Sequence, residues 1–195
     1  MFIVGGGNSL KNFDFKLLHG RCVIALNSAY KYVDENSALY WADSNWGATW
    51  EDRGLADHPS KFKFTSRTQI SPAMLASSRG VAGSHYLNLT GNSGYDPNPD
   101  HVRGTNSGGH AINLAVNMNA QRIILLGFDM GYVFGRSHFH SDHEHAVGAS
   151  TYTEVFIPSI NSLSSAIKHL PVEVINCSFT SNLKCFKTGD IKDYL

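Results

Sequence analysis

The chain is poor in cysteine. Its 195 residues hold three, Cys22, Cys177 and Cys185, and no two have CxxC spacing. An odd count in a chain of this length argues against a disulfide framework and against a zinc ribbon, and for reduced thiols. There is no excess of charge: 16 basic residues balance 16 acidic ones, and no Lys/Arg run occurs. That removes a general pull toward nucleic acid or anionic lipid. No apolar run approaches the roughly 18–20 residues of a membrane span, and Met1-Phe2-Ile3-Val4 is too short for the apolar stretch of a signal peptide. The expected location is therefore the cytoplasm. No Gly-Lys-Ser/Thr follows a glycine loop and no HExxH occurs, so neither a Walker A site nor a zincin is predicted.

What is present is a rhythm. Phe2–Val4 reads as a first strand. Leu10, Phe13, Leu17 and Leu18 recur at helical spacing up to Gly20. Cys22–Leu26 is a continuous apolar run, as in a strand buried on both faces of a parallel sheet. Leu39–Ala42 predicts a third strand, Ser44–Leu55 a helix, and Lys61–Thr65, which alternates polar with apolar, an edge strand. Tyr86–Leu89 is a further candidate strand. The segment Gly91–Asp100 is dense in turn residues and must be loop. Ala111, Leu114, Ala115 and Met118 mark a helical face, Arg122–Leu126 the clearest strand, Val155–Leu170 a helix and Val172–Asn176 a last strand. Alternating strands and helices predict an α/β fold: an open, mainly parallel sheet with helices on both faces, in one domain spanning 1–195. The irregular stretches 90–106 and 127–148 are long enough to be candidate functional loops.

The chemistry-bearing residues fall at the predicted strand ends. Gly5-Gly6-Gly7-Asn8-Ser9 follows the first strand directly. Bare glycine backbone lets N–H groups approach a phosphate, and a following Ser is able to cap a helix and touch the same ligand. The alternative is a tight turn without a ligand. Asn27, about 20 residues on, stands where dinucleotide folds place a ribose-binding acid; equally, it caps the next helix. Asp43 ends the third strand and points to the same crevice, or is an N-cap. Asn106, Ser107 and Gly108 form a second small-residue helix entrance, suited to phosphate or to close packing. His110 is read as a packing or capping residue. Gly127 and Asp129 follow the strand Arg122–Leu126, where Asp129 is placed to bind Mg²⁺ beside a phosphate, a ligand hydroxyl, or its own turn.

The segment Ser137-His138-Phe139-His140-Ser141-Asp142-His143-Glu144-His145 carries four of the ten histidines. Histidine serves as general base or metal ligand near neutrality. His138 and His140 are the candidate catalytic residues. Asp129, His143 and His145 are the candidate metal ligands, and a solvated polar loop is the plain alternative.

The set Gly5-Gly6-Gly7-Asn8-Ser9-Leu10, Ala25-Leu26-Asn27, Tyr40-Trp41-Ala42-Asp43, Asn106-Ser107-Gly108 and Leu126-Gly127-Phe128-Asp129 resembles a Rossmann-like superfamily. It includes the MptE-like 6-hydroxymethylpterin diphosphokinases and the bacterial sialyltransferases that use CMP-sialic acid, with small phage-encoded members looking nearest. The resemblance runs from residue 2 to about 145. It implies a nucleotide-dependent transferase of glycosyltransferase-like type. The nucleotide, or nucleotide-sugar, would lie on Gly5–Ser9, Asn27 and Ser107-Gly108, and His138 or His140 would take the acceptor's proton. Those enzymes read Asn-Gly-Pro-Ser at the first loop and end strand three with Asn, where this chain has Gly-Gly-Asn-Ser and Asp43. The diphosphokinase branch instead implies Mg²⁺ held by Asp43 and Asp129. A third reading is a non-catalytic protein that binds or sequesters a nucleotide. The expected partners are a small-molecule nucleotide, an acceptor and, as an open option, a second copy in a homo-oligomer. If phage-encoded, the protein would work in the host cytoplasm.

Overall fold

The computed structural model describes residues 1–43, 46–47, 54–67, 81, 83–142 and 147–195. Among the described residues, nine strands form one sheet: β1 (Phe2–Val4), β2 (Val23–Leu26), β3 (Ala38–Trp41), β4 (Lys63–Arg67), β5 (Ser84–Leu89), β6 (His101–Val102), β7 (Arg122–Leu126), β8 (Glu173–Asn176) and β9 (Lys187–Thr188). Their order is β6-β5-β4-β3-β2-β1-β7-β8-β9, and every pairing is parallel. β1 sits near the middle, with Phe2 in register with Val23 on one side and Ile124 on the other. The chain leaves β1 toward β2 and returns on its far side as β7. Their C-terminal ends therefore flank a topological switch point, where open parallel sheets form a crevice.

Successive residues of a strand point to opposite faces. Ile3, Ile24, Leu26, Ile123 and Leu125 are buried in one core, Phe2, Val4, Val23, Ala25, Ile124 and Leu126 in the other. This is why the central strands read as unbroken apolar runs. The first core is covered by α1 (Ser107–Asn117) and α2 (Ile157–Ile167), through Ala111, Leu114, Ala115, Ile160 and Leu163. The second is covered, among the described residues, by Leu10, Leu18, Tyr30, Trp46 and Leu55. Of these, Leu10, Leu18 and Tyr30 sit on 3₁₀ turns.

Several segments differ from the sequence reading. The spacing Leu10 to Leu18 does not make one helix but two 3₁₀ turns, Asn8–Leu10 and Phe15–Leu18. The break has a cause: Asp14 accepts from Lys16 N with its side chain and starts the second turn afresh. β4 is not an edge strand; it lies between β3 and β5. Its polar alternates are buried, with Lys63 laying its Nζ on Ala56 O at 3.0 Å. Of the helix expected over Ser44–Leu55, residues 44–45 and 48–53 lie outside the described ones. The last long helix begins early, at Ala149–Thr151, and passes through a π turn over Tyr152–Phe156. Pro158 has no N–H to give the Glu154 carbonyl, and Ile157 N reaches back to Tyr152 O instead. The two-residue strands β6 and β9 are too short to carry a period and were not foreseen.

The turn-rich loop before β6 is built, not loose. Asn113, fully buried on α1, accepts from Asp96 N at 3.0 Å and Arg103 N at 3.3 Å and donates to Asp96 O at 2.9 Å. Asn117 adds bonds to Asp96 O and Asn98 O. One amide thus satisfies backbone groups from two ends of the loop. Asn113→Ala is expected to leave them unpaired and to cost about 2–3 kcal/mol. Urea unfolding measures this; an unchanged midpoint would show that the loop does not depend on Asn113.

Candidate active site

The glycine loop is fixed by its neighbour across the switch point. Gly5 N donates to Leu126 O at 2.7 Å, and Gly7 N to Gly127 O at 2.9 Å. A Cβ on Gly7 would stand 2.6 Å from both the Asp129 carboxyl carbon and Gly127 O, and one on Gly5 2.8 Å from Gly127 O. The glycines are needed first for this approach. Two amides expected to face a phosphate are therefore already spent on the end of β7 and the residue after it. Gly127 itself has φ +69°, the left-handed turn that lets its carbonyl meet the loop.

Asp129 completes the seam. It is buried, and its Oδ2 accepts from Ser9 N at 2.8 Å while Oδ1 accepts from the Ser9 hydroxyl. Both oxygens are engaged, so the carboxylate ties the turn after β1 to the turn after β7.

A crevice of about 340 Å³ opens at this sheet edge. Of the residues singled out from the sequence, Gly5, Gly6, Gly7, Asn27, Asp43, Asn106, Ser107, Gly108, Gly127, Asp129 and His138 line it. Asn27 leaves β2 at φ +48°, and its Oδ1 accepts from Ser107 Oγ at 3.4 Å. Met130, also in the lining, has φ +49°. Each non-glycine residue in this region carries a strain of about 1–2 kcal/mol, a pattern frequent at functional sites. Asn106 caps α1 by accepting from Gly109 N at 2.9 Å. Ser107 Oγ also receives Ala42 N at 3.2 Å, joining α1 to the end of β3. Gly108 is a packing position as well: a Cβ there would meet the Phe128 ring at 2.8 Å. Asp43 takes up its N-cap role, accepting from Trp46 N at 3.2 Å, and still borders the crevice.

Other candidates lie elsewhere. Asn8 and Ser9 turn away from the crevice; Asn8 Nδ2 donates to Val133 O at 2.8 Å, and both residues line a separate groove. His140 lies against Gly6, its Nε2 3.4 Å from where a Cβ would stand, and is not part of the crevice lining. His143 and His145 lie outside the described residues, and among the described residues no group of three His, Cys, Asp or Glu side chains is arranged to hold a metal ion. His110 is a core residue, its Nδ1 3.0 Å from the Tyr40 hydroxyl; burial holds its pKa below the ordinary value.

The histidine loop is held to the glycine loop by Phe139 N, which donates to Gly6 O at 3.0 Å. The Phe139 ring enters a cluster with Phe15 and Tyr32, at 5.4 and 5.2 Å between centroids. On either side of Phe139, His138 lines the crevice and His140 does not, their rings 5.3 Å apart. His138 Nδ1 lies 2.9 Å from Ser137 Oγ. His140 Nδ1 lies 3.7 Å from Asp142 Oδ2, which in turn receives Lys31 Nζ at 2.8 Å.

The far wall was not foreseen from the sequence. Val147, Tyr152 and Phe156 supply an apolar side, with Thr105, Phe128 and Ser137. Tyr152 and Phe156 stand on the π turn, four apart, and their rings meet at 5.7 Å. Burial first, then the nearby Tyr132 and Asp129, push the Tyr152 hydroxyl above its ordinary pKa, so it stays a proton donor. Starting the helix at Val155 hid this pair; aromatic spacing at the true helix start was the available signal.

No protein-family model matches the chain, and no curated protein sequence matches it. Among solved structures, its fold is similar to that of the sialyltransferase CstII from Campylobacter jejuni, solved in complex with a substrate analogue, cytidine-5'-monophosphate. The TM-score is 0.55 at 15% identity, over 96% of this chain and 83% of the other. The chain has a sialyltransferase-like, Rossmann-like α/β fold.

Burial pushes the Asp142 carboxyl up, but hydrogen bonds from Lys31 and Ser28 and the charges of Lys31 and His140 outweigh it, and its pKa falls below the ordinary value. A lowered carboxyl pKa contributes stability above the unfolded value of about 3.9, which is lost as pH falls through the folded one. Asp142→Asn is therefore expected to be less stable than the parent at neutral pH, with the gap closing below about pH 4. Denaturant midpoints against pH measure it; a gap independent of pH would refute the charge network.

Proposed function

We propose that the protein is a nucleotide-dependent transferase of glycosyltransferase type, with the donor in the switch-point crevice and His138 as general base. The observation that carries this reading is the joint lining of one crevice by the ends of β1, β2, β3 and β7, the first turn of α1 and His138. Ligands of open parallel sheets bind at such a point. Support comes from the fold shared with a sialyltransferase whose structure holds cytidine-5'-monophosphate.

Charge narrows the donor. Among the described residues, no Lys or Arg lines the crevice, and two carboxylates, Asp43 and Asp129, border it. A diphosphate would bring more negative charge against them without a counter-ion. A nucleoside monophosphate sugar fits better, its one phosphate charge met by the α1 entrance at Asn106-Ser107-Gly108 and the Tyr152 hydroxyl. The Mg²⁺-dependent diphosphokinase reading would use Asp129, whose two oxygens Ser9 already occupies, and Asp43, whose Oδ1 caps Trp46 N. Among the described residues, these two engaged carboxylates make a thin donor set for a divalent ion.

In the proposed reaction the acceptor hydroxyl gives its proton to His138 Nε2, with Nδ1–H donating to Ser137 Oγ. The hydroxyl oxygen attacks the anomeric carbon of the donor sugar. The bond from that carbon to the phosphate oxygen breaks, and the nucleotide leaves with the electron pair. Asn27, placed between β2 and Ser107, is the candidate partner of the ribose hydroxyls.

His138→Ala is the test. Transfer from a CMP-sugar is expected to fall about 10²–10⁴-fold, while calorimetry shows CMP binding retained. Full activity in the variant would overturn the base assignment. Binding of CMP without turnover in the parent protein, across a panel of sugar acceptors, would instead favour a nucleotide-sequestering protein.

A further inference from the structure

The first turn of α1 is laid on β3 by two side chains one helical turn apart, on a shared helix face. Ser107 lines the crevice and takes Ala42 N on its Oγ at 3.2 Å. His110 lies in the core, 2% exposed, its Nδ1 3.0 Å from the Tyr40 hydroxyl of β3 and 3.3 Å from Ser66 Oγ of β4. Between them stand Gly108 and Gly109. Glycine is a poor helix former, so this turn keeps its place through its contacts rather than through propensity.

The His110 ring has no counter-charge. β3 and β4 bring it Tyr40 and Ser66, and burial pushes the Tyr40 hydroxyl above its ordinary pKa, so it stays protonated. The loop after β6 brings Gly104, where a Cβ would stand 3.0 Å from the ring's Cδ2 and 3.6 Å from Ser159 Oγ of α2. β1, β2, β5 and β6 face the same core with Ile3, Ile24, Leu26, Leu87 and Val102. Among the described residues, no Asp, Glu, Lys or Arg forms an ion pair or hydrogen bond with His110. Its Nε2 is buried without a hydrogen bond. A charged ring would donate from both nitrogens, keep one N–H unpaired in the core, and sit at the positive end of the helix dipole. The Gly104 backbone favours the charged ring, but burial outweighs it and holds the pKa below the ordinary value.

We infer that His110 is a positioning residue for the crevice and makes it acid-sensitive: the neutral ring keeps the first turn of α1 on β3, and acid frees that turn and the nucleotide with it. The nucleotide half rests on the transferase reading; the release of the turn does not. A ring freed to water titrates near 6.5, so the seat is at full strength above about that value and weakens as pH falls below it. The turn carries Ser107, whose Oγ joins Ala42 N to Asn27 Oδ1. Its release therefore parts the walls supplied by β2, β3 and α1.

The test follows amide and His110 ring-carbon chemical shifts of the whole protein, without ligand, from about pH 7.5 down to about pH 5. The amides of Ala42, Asn106, Ser107 and Gly108 are expected to move together with the ring, at one midpoint below about 6.5, while β7 and β8 stay folded. In His110→Gln, whose side chain takes no charge, those amides should stay still. CMP affinity, measured by calorimetry over the same range, should fall in the parent by up to about tenfold per pH unit relative to this variant. The ratio cancels the titration of the CMP phosphate and of the other histidines. If the variant does not fold, the coincidence of ring and amide midpoints in the parent decides. A ring midpoint at or above about 6.5, amides that move without the ring, unfolding of the whole sheet in place of a local change, or a ratio flat with pH would each overturn the inference. Absence of CMP binding at the upper pH would sink the crevice reading, and the shifts would still decide whether acid frees the turn.

Discussion

The structure depends on how closely the turn after β1 approaches the turn after β7. Two backbone hydrogen bonds, Gly5 to Leu126 and Gly7 to Gly127, and the double bond of Ser9 to Asp129 close that seam. Side chains at 5, 7 or 127 would force the two turns apart. The candidate site hangs on this junction. The crevice is its open side, and the histidine loop is tied to its middle residue through Phe139 N and Gly6 O. A glycine-rich loop in this position is often taken as a phosphate cradle. Here it is first a structural seam, and the ligand space is what the seam leaves beside it.

The seam also divides the chemistry. Gly5, Gly6 and Gly7 look into the crevice, while Asn8 and Ser9 look into the groove. The loop that begins at Gly127 borders both, with Met130 and His138 on one side and Phe134 and Arg136 on the other. Of the four left-handed non-glycine residues among those described, Asn27, Met130 and Phe134 lie on these two cavities, and Asn119 lies just after α1. Local strain is retained there because the packed junction fixes the backbone around it.

Much of this was legible in the sequence, for identifiable reasons. The central strands are buried on both faces, so their apolar runs were plain. Strand ends that carry Asn27, Asp43 and Gly127-Phe128-Asp129 were found because turn residues follow apolar runs. The misreadings also have physical causes. β4 buries Lys63 by pairing its ammonium with a carbonyl, so its alternation mimicked an edge. A side-chain cap at Asp14 split an apparent helix. Pro158 set a π turn that no 3.6-residue period describes, and with it the Tyr152 and Phe156 wall. The sense in which Asn8 and Ser9 face is a matter of loop geometry, which spacing does not encode.

The central claim is that the crevice at the ends of β1, β2 and β7 holds a nucleoside monophosphate. Amide chemical shifts during a titration with CMP test it most directly. The account predicts saturable changes centred on Gly6, Asn27, Asn106 to Gly108 and Tyr152, with Lys11 and Phe134 still. Changes centred elsewhere, or none at millimolar CMP, would contradict it.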